Sequence, residues 1–159
     1  MKSLRMVLLA GFSALALSAS AAGRPGSMAA GIQVGSVTGL DLKLWLNQAN
    51  ALDFGLGSGR GDSLLVQGSY LWHRYHVFHS EREDLQNNMP LYFGVGGLLG
   101  LEGSGTGRTV GGLRGVFGVT YIFPEEPFDA FLEVSPTLFL SPSNTFAILA
   151  GLGGRYYFR

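Results

Sequence analysis

The stretch "LAGLGGRYYFR" (Leu149–Arg159) closes the chain, and the way its two faces divide decides how the rest is read. Successive side chains of a strand point to opposite sides of a sheet. Leu152, Tyr156 and Phe158 therefore share one face, while Gly151, Gly153 and Arg155 share the other. In a water-soluble protein the arginine would face solvent and the large apolar groups a core. The other strands favour the opposite arrangement.

Short alternating runs separated by turn residues recur from residue 28 onward. They predict strands at 28–37, 40–47, 50–58, 63–75, 90–102, 112–123, 127–140 and 145–158. "NQAN", "GSGRGDS", "PEEP" and "SPSN" divide neighbouring runs with residues that suit turns through positive φ, fixed φ or local side-chain hydrogen bonds. Twenty-five glycines and many aromatics, with few charges, favour strands over helices. Beyond Gly23 there is no long amphipathic helix and no apolar run of about 20 residues that could cross a bilayer as one.

The alternation sorts the residues sharply. In the second strand Leu42, Leu44 and Leu46 oppose Asp41, Lys43 and Trp45, and in the third Leu52, Phe54 and Leu56 oppose Asp53, Gly55 and Gly57. The fifth sets Leu91, Phe93, Val95 and Leu99 against Tyr92, Gly94, Gly96 and Gly100. In the seventh, Phe128, Ala130, Leu132 and Val134 oppose Asp129, Phe131, Glu133 and Ser135. One face is free of charge; the other mixes charge, glycine and a few large side chains.

Two closed architectures have these periods. A soluble lipocalin-like barrel points bulky apolar residues inward, whereas a membrane barrel carries an apolar band outside and polar groups inside. The charged face is too rich in glycine to line a lipocalin cavity, and too poor in charge to solvate an exterior. The fold class that follows is all-β, an eight-stranded antiparallel up-and-down transmembrane β-barrel over residues 27–159. Closure satisfies the requirement that hydrocarbon leave no backbone polar group unpaired. Tyr70, Trp72, Tyr121, Phe123, Tyr156 and Phe158 sit near strand ends on the apolar face, where a lipid-facing aromatic girdle belongs.

The first 22 residues read as a cleaved signal peptide. Lys2 and Arg5 precede the apolar run Met6 to Leu17, and the small residues Ala19 to Ala22 suit a signal peptidase. With no cysteine, neither lipid attachment nor a disulfide is available to the exported chain. Eleven basic and eleven acidic residues cancel, which leaves no electrostatic argument for nucleic acid.

The export signal, eight alternating strands and a last strand ending "GGRYYFR" resemble the small bacterial outer-membrane β-barrel proteins of unassigned function. The resemblance implies residence in the bacterial outer membrane with lipids as partners. It also implies recognition of the final strand, through Tyr156 and Phe158, by the barrel-assembly machinery. A monomer without cofactor or metal is expected. Arg159 after the terminal phenylalanine, Pro136 inside the seventh strand and the long 77–89 connection depart from the pattern. Pro136 is expected to mark a bulge or a strand end.

Six charged residues, Asp41, Lys43, Asp53, Arg114, Glu133 and Arg155, are expected in one narrow lumen. Buried charges must pair, so three acids and three bases read as an internal salt-bridge network that closes the barrel. Arg155 is expected to meet Asp41, Asp53 or Glu133. The role that follows is structural or surface-interacting and non-enzymatic. A narrow channel for ions or small solutes is the alternative, although an eight-stranded barrel has room for little beyond side chains. A soluble lipocalin-like ligand-binding barrel is a further alternative.

Other motifs are weaker. "HVFHSEREDLQNNMP" (His76–Pro90) holds His76, His79, Ser80 and Glu83, which could be imagined in a lipid-modifying hydrolase. A nucleophile and base need a defined mutual geometry, however, and Ser80 with Glu83 is equally a helix capping box. Two loop histidines lack further metal ligands. "GSGTGRT" (Gly103–Thr109) lacks the spacing and the helix of a phosphate loop. "RGD" (Arg60–Asp62) makes an ordinary polar turn.

Overall fold

The computed structural model describes residues 26–59, 63–77, 88–102 and 109–158. The expected signal peptide, the Arg60–Asp62 tripeptide, His79 to Asp84, Gly103 to Arg108 and Arg159 lie outside the described residues.

Eight strands follow one another: β1 (Met28–Gly35), β2 (Thr38–Trp45), β3 (Asn50–Ser58), β4 (Ser63–Arg74), β5 (Leu91–Glu102), β6 (Thr109–Ile122), β7 (Phe128–Ser141) and β8 (Thr145–Phe158). Each pairs antiparallel with the next, and β8 closes on β1 from Met28↔Phe158 to Gly35↔Gly151. The closed sheet has no free edge. One rim carries the ends of β1 and β8 and the β2–β3, β4–β5 and β6–β7 connections; we call it the terminal rim. The opposite, loop rim carries the remaining four connections.

The two faces separate as the period requires. Ile32, Leu40, Val95, Leu99, Phe117 and Leu132 stand exposed on the outside, while Asp41, Lys43, Asp53, Arg114, Asp129 and Arg155 are buried within. Space inside is made by placing small residues beside large ones around the circumference. Tyr92 faces Gly118 and Phe131 faces Gly153 within the lumen, and a Cβ on Gly153 would come within 2.6 Å of the Phe131 ring. Trp45 and Tyr157 instead face alanines, through the pairs Trp45↔Ala51 and Ala29↔Tyr157.

Three local expectations are corrected. The β1–β2 turn lies at Ser36 and Val37, two residues earlier than expected. Gly35 takes φ 148°, which favours glycine, and Thr38 Oγ1 both accepts from the Gly35 N–H at 3.3 Å and donates to its carbonyl at 3.4 Å. β2 stops at Trp45 because Asn47 Oδ1 accepts from the N–H groups of Ala49 and Asn50, forming the next turn. Pro136 neither ends β7 nor bulges it. The ladder to β6 skips Gly115 and Val116, where proline has no N–H to give, then resumes in the same register at Phe117↔Val134. The register shift falls at Gly111/Gly112.

Candidate functional site

The lumen holds the chemistry. Arg155 is its centre: Nε donates to Asp41 Oδ1, Nη2 donates to Asp53 Oδ2 at 2.7 Å, and Nη1 lies 3.5 Å from Asp129 Oδ1. The register explains the first and third of these. Asp129↔Arg155, Arg155↔Gly31 and Gly31↔Asp41 form one row across β7, β8, β1 and β2, which sets the arginine level with both aspartates. The ring of Phe131 lies 3.8 Å from the guanidinium carbon, so its face adds a cation–π contact.

A second node lies toward the loop rim. Arg114 donates to Glu133 Oε1 and Gln67 Oε1, and to Ser135 Oγ at 2.6 Å. Ser135 and Tyr92 hydroxyls donate to the two Glu133 oxygens at 2.9 and 3.0 Å. Gln67 Nε2 also donates to Gln33 Oε1 at 3.3 Å. Glu133 therefore serves Arg114, and Arg155 takes Asp129 in its place among the expected partners.

Lys43 has the least expected surroundings. It pairs in register with Asp53, yet its Nζ lies 2.8 Å from His73 Nε2 and 4.6 Å from the centre of the Trp45 ring. His73 Nδ1 lies 3.2 Å from the Ala49 carbonyl. The assignment that satisfies every group has Nδ1–H donating to Ala49 and Nε2 accepting from the lysine. Near the terminal rim Trp45 Nε1 donates to the Tyr157 hydroxyl at 3.3 Å, and that hydroxyl donates to Asp129 Oδ2. Together these side chains fill the cross-section.

All six charged residues named from the sequence are thus in the lumen, divided between two arginine nodes and a lysine–histidine pair. Asp129, His73, Gln33, Gln67, Tyr92 and Tyr157 complete the network. The set is not the balanced three acids and three bases, since Asp129 adds a carboxylate. Among the described residues no group of three or more His, Cys, Asp or Glu side chains is arranged to hold a metal.

The six aromatics named for a girdle face outward and gather at the terminal rim. Tyr70 and Trp72 meet at 4.8 Å, Tyr121 and Phe123 at 4.9 Å, and Tyr156 and Phe158 at 5.1 Å between ring centres. Phe93 stacks on Trp72 and Phe128 meets Tyr156 edge-on, which extends the group from β4 round to β8.

The architecture defines a class, the closed eight-stranded antiparallel barrel with an apolar outside and a network of buried charges across the middle of its lumen. Within that class its fold is similar to the crystal structure of the N-terminal β-barrel domain of Pseudomonas aeruginosa OprF. The TM-score is 0.59 at 16% identity, and the match covers 84% of this chain and 98% of that one. No family model and no curated protein matches the chain.

Proposed function

We propose that the chain is a bacterial outer-membrane barrel, exported by its N-terminal segment. Its role is structural or surface-interacting rather than enzymatic. The observation that carries the reading is the inversion of its faces: Ile32, Leu99, Leu113, Phe146 and Ile148 are each at least 60% exposed, while Arg155 and Lys43 are at most 1% exposed. Lipid is the solvent that makes this arrangement favourable, because an apolar belt in water would cost about 25 cal/mol per Å². The fold likeness to the OprF barrel domain supports the same reading. The terminal rim, with its aromatics, faces the periplasm, and the final strand is the segment that the assembly machinery would recognise.

The filled cross-section supports a closed barrel rather than a pore, so planar bilayers with the purified protein are expected to show no discrete currents. The deciding experiment is cell fractionation combined with gel migration before and after boiling. The protein should sediment with outer membranes and change its migration on heating. Recovery in the soluble periplasm without such a shift would overturn the reading.

A further inference from the structure

At the loop rim the lumen is neither charged nor filled. A cavity of about 340 Å³ opens there, walled by Val37, Leu65, Leu98, Val110, Phe139 and Leu149. These residues belong to the β1–β2 turn and to β4, β5, β6, β7 and β8. Beneath it lies a cavity of about 20 Å³ that shares Ser36, Val37 and Leu149 with the upper one. Gln33, Gln67, Arg114, Glu133 and Ser135 form its floor. The site is therefore a cup with apolar walls above a polar base, inside the closed sheet.

The hydrogen bonding of the base selects the ligand. Gln33 and Arg114 are each 6% exposed, and Gln33 Nε2 and Arg114 Nε have no hydrogen-bond partner. Both are N–H donors. Leaving a buried donor unpaired is unfavourable, so an acceptor brought to these two N–H groups would be stabilised there. Glu133 balances the charge of Arg114 and would repel a second carboxylate. A neutral acceptor suits the base better than an anion.

We propose that the loop-rim cup binds a small neutral amphiphile, with an alkyl or aryl body against the apolar wall and a carbonyl oxygen at Gln33 and Arg114. The size of the cavity lies at the lower end of the range for small-molecule sites, about 300–1,000 Å³. The lower cavity, of about 20 Å³, is large enough for one water-sized group such as the carbonyl oxygen. Binding at the cup does not depend on the membrane reading, which determines only that the mouth opens to the outside of the cell.

The test is methyl NMR of the protein in detergent micelles, titrated with 2-octanone and, separately, with octanoate. Saturable shifts are expected at Val37, Leu65, Leu98, Val110 and Leu149, with the outward Val95, Leu99 and Leu101 unmoved. Octanoate should bind more weakly because of Glu133. Gln33→Leu should weaken 2-octanone about tenfold, the loss of one hydrogen bond to a buried acceptor. Leu98→Phe, which narrows the cup and leaves the polar base intact, should abolish saturation and covers the case in which the first variant misfolds. Shifts confined to the outward methyls would mean partition into the micelle. Such a result, or equal binding by parent and Leu98→Phe, would overturn the proposal.

Discussion

Arg155 donates to Asp53 at 2.7 Å although their strands, β8 and β3, are separated in the sheet by β1 and β2. The bond is a chord across the lumen, and with Asp41 and Asp129 it joins β2, β3 and β7 to β8 through one guanidinium. Removing one partner of a buried ion pair costs about 3–5 kcal/mol, because the other charge is left uncompensated. Arg155→Met strands three carboxylates and should lower the unfolding free energy, read from a urea titration, by an amount in that range. Arg155→Lys keeps the charge without the planar fork, and should recover only part of the loss. An unfolding free energy for Arg155→Met equal to that of the parent would show that the chord contributes nothing to stability.

The glycines of the lumen and wall are not equivalent. A Cβ on Gly31 would strike the Gly154 carbonyl oxygen and come within 2.7 Å of the Arg155 Cα, both backbone atoms that cannot swing aside. On the outward Gly68 the same atom would meet only the edge of Phe54 at 3.5 Å, an ordinary contact. Gly31→Ala should therefore destabilise the barrel by about 1–3 kcal/mol. Gly68→Ala should be neutral or slightly stabilising, since alanine restricts the unfolded chain. Urea titrations of the two variants side by side would check the contrast.

The inward and outward faces were legible because they depend only on the parity of positions along each strand, and the third strand matched from Asn50 to Ser58. Partner choice was less legible because it depends on the stagger between strands. Arg155 lies level with Asp129 and Asp41 only once β7, β8, β1 and β2 have taken their register. Asp129 shares a face with Phe131 and Glu133 in the sequence, yet its place next to the "PEEP" turn does not distinguish a rim carboxylate from a lumenal one. Lys43 shows a further limit. Its register partner is Asp53, but its chain bends to His73 on β4, a choice set by side-chain packing against Trp45. Pro136 misled because a missing N–H was expected to break the register, whereas the ladder simply skips two residues.

Charges placed on the outside separate a lipid-facing belt from a solvated one. Val95 and Leu132 are 59% and 54% exposed on the outward face. In a membrane barrel, arginine near the bilayer midplane costs about 2–4 kcal/mol. Val95→Arg and Leu132→Arg should each reduce folding into lipid vesicles, read as the fraction that migrates in the heat-modifiable form. On a water-facing surface the same changes would improve solubility without detergent and leave folding intact, which would favour the lipocalin-like architecture.

The two tryptophans test the girdle and the lumen together. Trp45 is fully buried among Ala29, Ala51 and Tyr157, whereas Trp72 faces outward at the terminal rim beside Tyr70 and Phe93. Aromatic side chains of this kind settle at the headgroup level, where an apolar ring meets a wet boundary. In vesicles carrying brominated lipids, Trp45→Phe leaves Trp72 as the sole tryptophan. Its fluorescence should be quenched more by bromine near the headgroups than by bromine near the chain ends. Trp72→Phe leaves Trp45, which should be quenched by neither lipid because the sheet wall stands between it and the bilayer. Strong quenching of Trp45 would place it outside the barrel and overturn the assignment of faces. Trp72 quenched best at the chain ends would instead move the aromatic cluster from the interface to the middle of the belt, and the terminal rim would lose its claim to the membrane surface.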